Sequence, residues 1–268
     1  MSHTLFSKLS LSSRANRIKE LEVERDYFRQ RCVDLESQLE QCDYRPVPPL
    51  ELRVRVGGWE DADHFLGVGR KIFWDLKRLL KEVDKSFDSF ASMLDFGCGC
   101  GRVLRFLKPA DGQAIAGTDI DNESITWCRQ HLGHIGDLQV NGFLPPLSYA
   151  DETFDLVYCI SVFTHLPEEM QFQWLEELKR ITKKSGIFIA SLHGVDLLKT
   201  DPTLTETLNR QGFVYVEGQG TDGLPLFYQT AFHTREYLEK NWSRFFEVLH
   251  YRERGINNHQ DAIVCEKR

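Results

Sequence analysis

Residues 95–101 read Asp-Phe-Gly-Cys-Gly-Cys-Gly, a carboxylate followed by three glycines at alternate positions. Glycine lets the backbone turn sharply and lets a ligand approach where a Cβ would stand in the way. The helix start that follows such a turn aims unpaired N–H groups and a partial positive charge at whatever binds there. Two familiar nucleotide loops do not fit. In GxGxxG the third glycine comes one residue later, and GxxxxGK[ST] needs a Lys-Ser/Thr pair that does not follow. Asp95 would repel a phosphate but hold an ammonium group. A second acid, Asp119, closes the next apolar run 24 residues on, where a carboxylate accepts both hydroxyls of a ribose. The two acids suit an adenosyl amino acid better than a dinucleotide. Helix capping is the alternative for Asp95 and a surface turn for Asp119.

The elements that must position these residues alternate. Strands are predicted at Ala91–Phe96, Ala114–Asp119, Leu138–Val140, Phe154–Ile160 and Gly186–Leu192. Helices are predicted at Asp61–Val83, Arg102–Leu107, Asn122–Leu132 and Glu168–Thr182. Alternation of this kind predicts a parallel sheet with helices on both faces. The stretch His193–Thr230 is rich in loop signals around a strand-like Phe213–Val216. A helix at Thr234–Trp242 and strands at Phe245–Tyr251 and Asp261–Glu266 follow.

Three motifs, DFGCGCG (95–101), GTDID (117–121) and FDLVYCISVFTHL (154–166), resemble in order and spacing those of the class I S-adenosylmethionine-dependent methyltransferases. The resemblance runs from about Trp59 to Glu266. It implies a Rossmann-like, seven-stranded, mostly parallel sheet whose last strand lies antiparallel beside the sixth, and S-adenosylmethionine as cofactor. It puts Gly97, Gly99 and Gly101 under the methionine part, Asp95 near its amino end and Asp119 on the ribose. Ile120 would pack on the adenine, Asn141 and Gly142 would border it, and Ile160 and Ser161 would lie beside the transferred methyl.

Methyl transfer from a sulfonium is a direct displacement, so the protein supplies alignment, plus a base when the acceptor is a hydroxyl. His165 follows the fourth predicted strand and His193 the fifth, at the carboxyl ends where open α/β sheets place their sites. They are the catalytic candidates, with a loop-fixing role as the alternative for His165. His233 reads as a helix-end cap and Asn257–Gln260, with His259, as a surface turn. Phe213, Tyr215, Phe227, Tyr228, Phe232 and Tyr237 either floor an acceptor or form the core of a small cap. The expected acceptor is a hydroxyl of a small molecule or glycan. The competing reading is an inactive S-adenosylmethionine-binding scaffold, which the intact turn and both acids disfavour. A dinucleotide-dependent oxidoreductase is disfavoured by the glycine spacing.

Residues 16–42 carry a heptad seam: Ile18, Arg25, Cys32 and Leu39 on one position, Leu21, Phe28, Leu35 and Cys42 on the other. Such a helix would be a rod of about 40 Å, either a coiled coil that makes homo-oligomers or an amphipathic helix lying on its own domain. Domains are therefore expected at 1–45 (helical, coiled coil), 46–58 (proline-rich linker, with Leu52–Val56 extended) and 59–268 (methyltransferase domain with a cap-like insertion at 193–230). The net charge of −7 makes nucleic acid an improbable partner. No apolar run approaches the length of a membrane span. Seven cysteines, several within apolar strands, fit reduced thiols in a cytoplasm. Cys98 and Cys100 form CxC with no zinc-spaced neighbours, so no metal centre is expected.

Overall fold

In the computed structural model, residues 45–218 and 225–268 are described, together with Ile18, Leu21 and Arg25. The three isolated residues are helical, and Ile18 and Leu21 are exposed. The rest of the expected coil lies outside the described residues. Residues 46–268 form one compact unit.

Helices α1 (Leu50–Gly57) and α2 (Ala62–Lys81) precede strand β1 (Ser92–Phe96). Strand β2 (Ala114–Asp119), helix α3 (Asn122–Leu132), β3 (Asp137–Val140), β4 (Phe154–Cys159), α4 (Glu168–Ile181) and β5 (Thr182–Leu192) follow. Then come α5 (Pro202–Gln211), β6 (Phe213–Val216), β7 (Thr230–His233), α6 (Arg235–Trp242), β8 (Glu247–Ile256) and β9 (Gln260–Glu266). The main sheet runs β3-β2-β1-β4-β5-β9-β8. Strands β1 to β5 pair parallel, and β9 lies antiparallel between β5 and β8. This is the Rossmann-like sheet expected from the motifs.

Both faces of the sheet are covered, so alternate strand residues enter different cores. Met93, Ile115, Leu156 and Ile187 join α2 and α3 on one side. Leu94, Ala116, Val157 and Phe188 join α4 and α6 on the other. The direction of strand succession reverses between β1 and β4, and the carboxyl ends at that reversal frame the crevice where open α/β sheets bind ligands.

Four local expectations need correction. Leu52–Val56 is helical, not extended: α1 starts after Pro49, carries Glu51 in its first turn and Arg55 in its last, and ends on left-handed Gly58. Residues 46–58 are accordingly not a spacer, since Leu52 and Val56 pack into the core of the domain. Arg102–Leu107 forms only a short 3₁₀ turn at Leu104–Phe106. Within the expected insertion, α5 is a helix capped by Asp201, with Pro202 in its first turn and left-handed Gly212 at its end. Beside it, β6 and β7 form a separate two-stranded sheet.

Candidate active site

The glycine turn is fastened to β2 by the Gly97 and Cys98 N–H groups, which both donate to Thr118 O (2.8 and 2.9 Å). Gly97 and Gly99 have φ of +78° and +52°. A Cβ at Gly97 would sit 2.3 Å from Val162 Cγ2, and one at Gly99 would sit 2.7 Å from Val56 Cγ2. Gly101 serves differently: its Cβ would meet Leu132 Cδ1 at 2.3 Å, so its hydrogen lets α3 pack against the turn.

A first cavity lies over this turn. Of the residues picked out by sequence, Asp95, Gly97, Gly99, Asp119, Ile120, Asn141, Ile160 and Ser161 line it. Gly101 and Gly142 do not, the latter being exposed beyond Asn141.

Asp119 receives the Gly99 N–H on Oδ2 (2.7 Å) and the Asp121 N–H on Oδ1 (2.8 Å). A carboxylate oxygen has two lone pairs, so each keeps one for a ligand hydroxyl. Burial raises this acid to about 6, against the pull of those backbone donors. Asp95 is 3% exposed and its Oδ2 has no hydrogen-bond partner. Burial raises it to about 7; the Tyr158 phenol and the Arg102 guanidinium pull it back, and Asp119 pushes it further. A buried, unpartnered carboxylate is costly unless a cation arrives.

Arg102, which sequence reasoning placed in a helix and left without a role, is the complementary group. It is 6% exposed, its Nε has no partner, and its guanidinium lies 5.0 Å from the Trp59 ring centroid. Burial lowers its pKa. It lines the same cavity as Asp95. A buried acid and a buried base, neither of them in a salt bridge, match the two ends of an amino-acid zwitterion. Such a pair can hold the head group of an adenosyl amino acid, and Asp119 can accept the hydroxyls of its ribose.

A second cavity of about 340 Å³ adjoins the first, and Arg55, Val56, Arg102, Ser161 and Tyr228 line both. Its polar wall includes His165, Asn257, His259 and Gln260; its apolar wall includes Trp59, Val68, Ile72 and Ile256. Among the described residues, no Asp or Glu lines it. The β8–β9 turn expected to be plain surface therefore borders a cavity, held there because Asp75 Oδ2 accepts the Asn257 N–H (2.7 Å).

The two histidine candidates separate. His165 lines the second cavity. Its Nδ1–H donates to Gln229 O (2.6 Å), and its ring stacks on Tyr228 with centroids 4.1 Å apart. A carbonyl only accepts, so the proton resides on Nδ1 and Nε2 keeps its lone pair. Burial holds His165 below its ordinary pKa, hence neutral near pH 7. His193 is not among the residues that line either cavity, but its ring centroid lies 6.1 Å from that of His165. The Gln260 amide donates to its Nε2 at 3.4 Å, and burial lowers its pKa to about 3. It braces Gln260, whose amide also holds Ser161 Oγ (3.0 Å). His233 is buried against Gln171 Oε1 (2.9 Å), and the helix cap beside it is Thr234.

Ser161 stands at the seam of the two cavities. It adopts φ +62° without being glycine, a conformation that persists only where its surroundings over-determine it. Three contacts do so here: its N–H donates to Ser191 Oγ (2.8 Å), its carbonyl accepts from Tyr228 Oη (3.1 Å), and its hydroxyl meets Gln260.

Residues 94–190 match the methyltransferase-domain family. The chain is 25% identical over 143 residues to methyltransferase GfsG of Streptomyces halstedii, which covers 50% of this chain and 48% of that protein. The chain spans less than half the length of the curated relatives it matches. Among solved structures, a Pyrococcus horikoshii protein has a TM-score of 0.54 at 19% identity, covering 80% of this chain and 93% of that one. An S-adenosylmethionine-dependent methyltransferase from Clostridium acetobutylicum has a TM-score of 0.52 at 13% identity, covering 73% and 91%. These structures share the fold. The family match falls on the segment from β1 to β5 that contributes most of the first cavity's lining, so the chain is similar to methyltransferase domains where that cavity is built.

Proposed function

We propose that this protein transfers a methyl group from S-adenosylmethionine to a hydroxyl of a small molecule or glycan bound in the second cavity. The observation that carries this reading is His165, neutral, fixed by Gln229 O, and lining a cavity that adjoins the cofactor cavity and has no acid among its described lining residues. An ammonium-bearing acceptor would meet Arg102 there and no carboxylate, which favours an oxygen acceptor.

The cofactor's sulfonium supplies an activated methyl group. On this reading Asp95 and Arg102 hold its amino and carboxyl ends, Asp119 takes the ribose hydroxyls, and Ile120 and Asn141 flank the adenine. His165 Nε2 would take the proton of the acceptor hydroxyl. Ser161 and Tyr228 wall the point where the two cavities meet and exclude water from it.

Association through the helix within residues 16–42 belongs to the same proposal; the exposed, helical seam residues Ile18 and Leu21 support it. A cytoplasmic location is supported by Cys98, Cys100, Cys128, Cys159 and Cys265, all buried and without disulfides. Among the described residues no helix is long and apolar enough to cross a membrane.

The deciding experiment is labelled-methyl transfer across hydroxyl- and amine-bearing acceptor pools. His165→Ala should lower turnover about 10²- to 10⁴-fold, the usual span for a general base, while S-adenosylhomocysteine binds as before. Transfer confined to amines, or full activity in His165→Ala, would overturn the assignment.

A further inference from the structure

Helix α1 lies outside the family-matched residues, yet it walls both cavities through Arg55 and Val56. Its grip on the first cavity converges on one group. The Arg55 guanidinium forks, Nη1 to Asp121 Oδ2 (2.7 Å) and Nη2 to Glu123 Oε2 (2.9 Å). The Asp121 N–H in turn donates to Asp119 Oδ1. Val56 presses on Gly99, whose N–H donates to Asp119 Oδ2. Both oxygens of the acid assigned to the ribose are thus held by peptide groups that α1 touches.

The helix is itself fastened at both ends. Arg53 donates to Pro48 O (2.6 Å) and Glu60 O (2.5 Å), and the Cys100 thiol donates to Leu52 O (3.7 Å). Beneath it the first cavity holds about 100 Å³. α1 is one wall of this cavity, joined to the rest by the ion-paired fork of Arg55 and by the packing of Leu52 and Val56.

We infer that α1 is a strap coupled to the cofactor, with Arg55 and Val56 as positioning residues acting through Asp121 and Gly99 on Asp119. Order in the strap and occupation of the ribose site reinforce each other. This rests on the cofactor reading above.

The test uses the full chain with S-adenosylhomocysteine as probe. Arg55→Met should weaken binding at least tenfold in calorimetry, mainly through faster dissociation in stopped flow. Arg55→Lys, which keeps one arm of the fork, should restore affinity to within threefold of wild type. Saturating ligand should slow hydrogen exchange of amides 50–57 in the wild-type chain. Unchanged affinity and dissociation in folded Arg55→Met, or exchange of 50–57 indifferent to ligand, would overturn the strap. Should Arg55→Met fail to fold, the wild-type exchange measurement decides. A wild-type chain that binds no S-adenosylhomocysteine would instead overturn the cofactor reading itself.

Discussion

The two cavity acids make cofactor binding depend on pH in a calculable way. In the ligand-free protein Asp95 titrates at about 7 and Asp119 at about 6. A ligand that brings an ammonium to Asp95 and two hydroxyl donors to Asp119 favours the ionised form of each, so binding must first expel any proton they carry. Between pH 8 and pH 6 the apparent affinity should then fall about tenfold through Asp95 and about twofold through Asp119, about twentyfold together. That ratio corresponds to about 2 kcal/mol. At pH 6, binding should release about 1.4 protons, visible in calorimetry as a heat that varies with buffer ionisation enthalpy. The amino group of S-adenosylhomocysteine stays protonated over this range, so the ligand contributes no competing slope. Asp95→Asn should leave only the twofold part of the profile and bind more weakly at pH 8. A flat wild-type profile, or an Asp95→Asn profile that keeps the twentyfold fall, would refute the placement of the ammonium at Asp95.

The same acid should limit the stability of the ligand-free protein. Its folded pKa of about 7 lies above the ordinary 3.8, so its contribution is fully present below about pH 4 and lost as pH rises through 7, by up to about 4 kcal/mol. Asp95→Asn should therefore raise the thermal midpoint at pH 8 but not at pH 4, and equal shifts at both would contradict the burial argument. Arg102→Met, which keeps an apolar stem against Trp59, should weaken S-adenosylhomocysteine more than tenfold in calorimetry. It should leave 5′-methylthioadenosine, which lacks the amino-acid head, nearly unaffected; equal losses for both ligands would place Arg102 elsewhere in the reaction.

The central strands were legible because each is apolar on both faces and ends in a turn or an acid, a pattern that neither a half-exposed strand nor an amphipathic helix produces. Asp95, Asp119 and the glycine turn lie within 25 residues of one another, so local spacing alone brings them together. The strap was illegible for the opposite reason. Leu52-Arg-Val-Arg-Val56 alternates with the period of a strand, and what makes it helical is docking on Gly99 and Cys100, more than forty residues away. Arg102 was missed because arginines are mostly surface residues. The residue count says nothing of a guanidinium sealed under Trp59.

The two histidines show where local reading ends. Each follows the carboxyl end of a parallel strand, and on sequence their prospects as acceptor-side groups are the same. What separates them comes from elsewhere in the chain. Gln229, 64 residues after His165, brings the carbonyl that fixes its proton on Nδ1 and leaves Nε2 as the basic nitrogen of a ring that lines the second cavity. Gln260, at the start of β9, stands between His193 and Ser161 and takes up the nitrogen that would otherwise face the seam. Gln260→Ala, by removing that screen, is the substitution in which His193 would next gain access to the site.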